Sequence, residues 1–118
     1  MVQRVKNVCY LCKVNFKLDE QDKTLAMLPS GAEVLSVNLQ IVEPLAGATL
    51  DIGLKDEPDY FLSSVDGSNK TYEQSSALLS SPSNQTINAT ITGADPNKDS
   101  LATLRVLYFA PSEISIEC

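Results

Sequence analysis

The chain has no histidine and no tryptophan, and its seven aromatics are tyrosine and phenylalanine alone. Without histidine a Ser-His or Cys-His nucleophile cannot be assembled, and the commonest neutral metal ligand is missing. The five glycines stand singly, so no Gly-rich phosphate loop is present. Apolar runs are only a few residues long, too short to span a bilayer. No stretch carries the three-turn amphipathic pattern of a surface helix, which argues against α/β architectures.

What remains is a chain of 118 residues, 43% apolar and 20% charged. That length suits one domain with a single hydrophobic core, and we take residues 1–118 as one β-sandwich. A net charge of −6 speaks against nucleic acid as the main partner. The charge is unevenly spread. Arg4, Lys6, Lys13 and Lys17 precede the first acidic residue, Asp19, so residues 1–18 carry +4 and the remainder carries −10. A basic segment on an acidic body suggests contact with an acidic neighbour or another copy, or charges that keep an outer strand soluble. The opening "MVQRVKNVCYLCKV" has no uninterrupted apolar stretch and no small-residue cleavage site. It reads as mature sequence, made in a cytoplasm.

Alternation with period two dominates. Tyr10, Cys12, Val14, Phe16 and Leu18 share one face, with Leu11, Lys13, Asn15 and Lys17 on the other. After the Pro29-Ser30-Gly31 turn, Leu35, Val37, Leu39 and Ile41 are expected to point inward. "ATLDIGL" repeats the pattern with Leu50, Ile52 and Leu54, and the two strands read as a hairpin. Asp56, Glu57 and Pro58 predict a single helical turn through Tyr60 and Leu62. "TYEQSSALLSS" reads as a strand, as do "QTINATITG", "LATLRVLYFA" and "EISIEC". Turn signals recur about every ten residues, so the expected fold is an all-β antiparallel sandwich of about seven or eight strands, a jelly roll being the best match.

Three patterns resemble sites. Cys9 and Cys12 have redox or zinc spacing, but three positions along a strand put them on opposite faces, and only Cys118 remains as a third thiol. Asp95, Asn97 and Asp99 have calcium-loop spacing, yet Ser100 and Val106 occupy the expected Gly and Glu positions. Asp51, Asp56, Glu57 and Asp59 cluster in sequence and would serve a carbohydrate-acting or carbohydrate-binding protein only across a cleft. Asn69, Asn84 and Asn88 head glycosylation-type triplets that a Ser/Thr/Asn-rich surface also produces. No cofactor, metal or membrane partner is expected.

The stretch from Leu28 to Leu62 resembles small structural proteins of tailed bacteriophages. The resemblance rests on Leu28, Pro29, Gly31 and Ala32 of the turn, and on Ala48, Thr49, Leu50, Asp51 and Gly53 of the next strand. Pro58, Asp59, Phe61 and Leu62 of the acidic loop complete it, and "LATLRVLYFAP" is similar to the closing strand. The resemblance implies a non-enzymatic virion protein, such as a jelly-roll cement or decoration protein. Such a protein would be a homotrimer bound to the outer surface of the major capsid protein lattice. A tail or fibre component is the alternative, and a carbohydrate-binding module a weaker one. The expected contacts are an N-terminal arm over residues 1–8, with Arg4, Lys6 and Val8, and the loop with Asp59, Tyr60 and Phe61.

Overall fold

The computed structural model describes the backbone of residues 3–117 and the side chains of residues 8–110. Over that range the chain forms nine strands and no helix. They are β1 (Gln3–Phe16), β2 (Asp22–Leu28), β3 (Glu33–Glu43), β4 (Thr49–Leu54) and β5 (Leu62–Asp66), then β6 (Tyr72–Ser75), β7 (Leu79–Ser80), β8 (Gln85–Thr92) and β9 (Leu101–Glu117). One sheet runs β1-β9-β3-β6, with the two-residue β7 also on β3, and the other runs β2-β8-β4-β5. The antiparallel pairs β1·β9, β2·β8, β3·β6 and β4·β5 are nested, as if one long hairpin had been rolled up. This is the jelly roll, two sheets packed over one core.

The inner faces follow the alternation. Leu18, Leu39, Leu50, Ile52, Ile87 and Leu104 are fully buried where the two sheets meet. Each such side chain stabilises the fold by roughly 1.5–3 kcal/mol relative to exposure.

Three local expectations are corrected. Strands β3 and β4 do not form a hairpin; they lie in different sheets, and their apolar faces meet across the core. Alternation specifies which face is buried, and an arch between sheets buries the same residues as a hairpin. Leu35 does not point inward. Register shifts between Val34 and Ser36, and Val34 takes the buried position while Leu35 is 41% exposed. The extra residue is a β-bulge, which resets the alternation for Val37, Leu39 and Ile41. Residues 56–62 form no helical turn. Glu57 O accepts from Tyr60 N at 3.1 Å and from Leu54 N at 2.8 Å, which makes a tight loop. The single strand expected over "TYEQSSALLSS" is also broken, into β6 and β7.

The turn before β3 explains its own composition. Ala32 N donates to Pro29 O at 3.2 Å with Gly31 at φ 86°, the left-handed third position that a type II turn needs. The loop after β4 returns across the sheet: Phe61 N donates to Ile52 O at 2.9 Å, and the backbone of Glu57 and Pro58 lies directly on Gly53.

The connection from β5 to β6 is closed by Asp66. Its carboxylate accepts from Ser68 N at 2.9 Å, from the Ser68 hydroxyl, and from Asn69 Nδ2 at 2.9 Å. The Ser68 hydroxyl, then the Ser68 amide and the Asn69 amide, hold the Asp66 carboxyl below its ordinary pKa. A carboxylate lowered on folding stabilises the fold above the unfolded pKa of about 4 and loses that contribution as pH falls through the lower folded value. Urea midpoints should therefore drop between pH 5 and pH 3, and Asp66→Asn should flatten part of that drop. An unchanged pH profile in the variant would show that the turn contributes nothing.

Candidate functional site

The two ends of the sandwich differ. One end carries the β1–β2, β3–β4, β5–β6 and β8–β9 connections. These are largely polar, with sequences such as "GSNKT" and "GADPNKDS". Here Asp95 Oδ1 accepts from Asn97 N at 2.9 Å, so this segment closes as an Asx turn. Lys23 Nζ lies 2.6 Å from Asp19, which holds the Asp19 carboxyl below its ordinary pKa.

The opposite end carries the β2–β3 turn, the β4–β5 loop and the β7–β8 connection, and from it β1 and β9 run on. Strand β3 accompanies β9 only as far as the Glu33–Phe109 pair, whereas β1 stays paired with β9 to Gln3–Glu117. Beyond Phe109 the chain is thus a two-stranded ribbon. It gives the molecule extents of 59 × 24 × 21 Å. The radius of gyration is 16.1 Å, against about 13–14 Å for a compact domain of this length. An isolated two-stranded ribbon is marginal in water, so a surface that covers it would stabilise it.

Exposed apolar side chains collect at this end. Among the described residues seven large hydrophobics are exposed, and five of them, Val8, Tyr10, Met27, Leu35 and Leu78, sit where the ribbon leaves the sandwich. Met27 is 70% and Leu78 66% exposed. Tyr10 stacks on Tyr108 with ring centroids 5.4 Å apart. Burial, then the nearby Cys12 and Tyr10, pushes the Tyr108 phenol above its ordinary pKa, so it stays neutral. Between Met27, Leu54, Tyr60 and Leu79 a cleft of about 610 Å³ opens, with Asp56 and Glu57 at its edge.

The sequence-predicted contacts divide accordingly. Val8, Asp59 and Tyr60 come to this one end, although more than fifty positions separate them along the chain. Tyr60 is half-buried, and its hydroxyl donates to Leu78 O at 2.5 Å, which ties the β4–β5 loop to β7. Phe61 is not an exposed anchor: it is 6% exposed and belongs to the core, edge-on to Tyr60 at 4.9 Å. Its backbone pairing with Ile52 turns the ring inward. The side chains of Arg4 and Lys6 lie outside the described residues, as does Cys118. The backbone pairing sets Gln3, Arg4 and Val5 beside Glu117, Ile116 and Ser115. Met27, Leu35 and Leu78 were missed by sequence reasoning. The only available signal was apolar residues outside the inward phase, which bulges and breaks make unreadable.

Cys9 is exposed and Cys12 half-buried, on opposite faces of β1, and among the described residues no three His, Cys, Asp or Glu side chains converge. Asp51 Oδ1 accepts from Ser64 N at 2.7 Å, where Ser64 adopts φ 55°, so this carboxylate serves a backbone irregularity.

No protein-family model matches the chain, and no curated protein matches its sequence. Solved structures do match. A chain in the acidic stable capsid structure of Helicobacter pylori bacteriophage KHP30 shares 34% identity at a TM-score of 0.76, over 98% of this chain and 100% of that one. A chain of the Cyanophage Pam1 capsid asymmetric unit has a TM-score of 0.65 at 17% identity, over 91% of this chain and 86% of that chain. One from the capsid of Ralstonia phage GP4 has a TM-score of 0.66 at 15% identity, over 90% of this chain and 86% of that chain. The last two share the fold; the first shares fold and sequence along its entire length. This protein belongs to the family of small jelly-roll proteins found in bacteriophage capsids.

Proposed function

We propose that this protein is a non-enzymatic capsid cement or decoration protein. In this reading it stands end-on upon the outer surface of the major capsid protein lattice, with the ribbon and the apolar end against the shell. The observation that carries the reading is the segregation itself: the exposed apolar side chains gather where the ribbon leaves the sandwich, and the far end is polar. Apolar side chains left exposed together at one end of a domain favour a partner that covers them. The copies would be made in the host cytoplasm and act as homotrimers.

The mechanism is mass action. A protein that binds only the assembled shell stabilises it by the free energy of that binding. Linking three weak contacts in one trimer raises avidity without new chemistry. Heads lacking this protein should break at a lower temperature than complete heads, and adding the purified protein back should restore the difference. Immunogold should label heads and leave tails bare. Failure to bind mature heads, or label confined to tails, would overturn the proposal.

A further inference from the structure

The outer face of the five-stranded sheet holds a second feature, apart from the apolar end. A shallow groove of about 520 Å³ runs across β1, β9, β3 and β6. Polar side chains of β3, β6 and β9 line it beside Leu11 and Leu107. Arg105 Nη1 donates to Gln40 Oε1 at 3.0 Å and lies 3.5 Å from Asn38 Oδ1. Gln74 Nε2 donates to Ser36 Oγ at 3.2 Å, and Gln74 Oε1 accepts from the Tyr72 hydroxyl at 3.2 Å. Asn38 is only 8% exposed, so the floor is held by packing as well as by hydrogen bonds. Along the groove's sides stand two exposed side chains, Tyr72 at 60% and Leu11 at 64%.

Two properties set this groove apart from an ordinary polar surface. First, no carboxylate lines it. Arg105 meets amide oxygens, and the ion pair among the described residues is Lys23–Asp19, elsewhere on the molecule. Among the described residues Arg105 thus has no acidic side chain within ion-pair distance, and Lys13, opposite it in the β1–β9 register, adds a second positive charge. Arg has five donors in a rigid fork, and among the described residues only Nη1 is engaged, which leaves Nη2 and Nε for a ligand. Second, the cation's hydrogen-bond partners are amides, and a phenol lines the same groove. Amides supply paired donors and acceptors at the spacing of vicinal hydroxyls, and an exposed tyrosine ring packs against the C–H face of a sugar ring.

We propose that this groove binds an acidic carbohydrate. The carboxylate of the sugar sits on the free edge of Arg105, its hydroxyls meet Asn38, Gln40 and Gln74, and its ring lies against Tyr72. A polyanionic nucleic acid strand fits less well, because the groove lining offers Arg105 with only Lys13 opposite it on β1, and a net charge of −6 repels a run of phosphates. The site is lateral and does not rest on the docking proposed for the apolar end. A single site of this kind would bind weakly, with a Kd of about 0.1–10 mM, and gains strength when many copies are displayed together.

The test uses the isolated protein. Its side-chain amide resonances are followed by NMR during titration with sialyllactose, a galacturonate disaccharide, neutral lactose and a short oligothymidylate. At least one acidic sugar should shift the amides of Asn38, Gln40 and Gln74, and lactose should bind at least tenfold more weakly. Arg105→Gln should abolish the acidic preference. Tyr72→Ala, an exposed position on a short outer strand, should weaken binding about tenfold with the fold intact. The inference fails if no sugar shifts these amides at 20 mM, or if acidic and neutral sugars act equally. It also fails if only the oligonucleotide binds, or if the Tyr72 variant binds as well as the parent.

Discussion

Gly53→Val is expected to lower the unfolding free energy by about 3–5 kcal/mol, the range reached when a substitution forces backbone apart in a packed interior. Gly53 is the penultimate residue of β4, and glycine within a strand is ordinarily unfavourable. Here it is required because the β4–β5 loop lies on it. A Cβ at this position would fall well inside contact distance of the carbonyl oxygens of Glu57 and Pro58. Neither can yield as the tip of a flexible side chain would, since both are backbone. The loop must lift, and with it go the Leu54–Glu57 and Phe61–Ile52 hydrogen bonds and the burial of Phe61. Gly47→Ala is the matched control. Its Cβ would meet nothing within 4 Å, although φ is +79°, so only the conformational cost of about 1 kcal/mol applies. Urea denaturation measures both. A midpoint for Gly53→Val close to that of Gly47→Ala would mean that the loop moves away freely.

Charging the apolar end should abolish attachment to heads. In the double variant Met27→Glu/Leu78→Glu, two exposed apolar side chains that the proposal buries become carboxylates, and burying an unpaired charge is costly. Affinity for mature heads should fall at least 100-fold, as expected for two central contacts. Both residues are already largely in solvent, so the thermal midpoint of the free protein should change little. Asn97→Ala/Lys98→Ala at the polar end is expected to bind as the parent does. Co-sedimentation of labelled protein with heads measures all three. If the polar-end variant loses binding and the apolar-end variant keeps it, the orientation proposed here is reversed.

Much of the fold is legible in the sequence. The alternation of Cys12, Phe16 and Leu18, of Val37, Leu39 and Ile41, and of Ile87, Ala89 and Ile91 identified inward faces that the structure places on the core side, although Tyr10, in the same phase, is 46% exposed. Side chains alternate across a strand whatever the strand pairs with, so this information is local. Leu35 was misread because a bulge inserts one residue without altering composition, and Phe61 because a Pro turn with acidic neighbours looks alike whether its aromatic faces in or out.

The amino-acid sequence by itself determined that this is an all-β domain without histidine chemistry, with strands of known inner face and turns at Gly31 and around Asp66. It also carried enough of a family pattern to suggest a virion protein. Only the tertiary structure decided which strands share a sheet, that β1 and β9 continue as a ribbon, and that Val8, Met27, Leu35 and Leu78 gather at its base. It likewise decided that Arg105 meets Gln40, sixty-five positions away, and Tyr72 across one groove. The reason is that period-two alternation assigns a face to each residue but leaves the partner strand open. Surfaces assembled from residues distant along the chain exist only once the pairing is made.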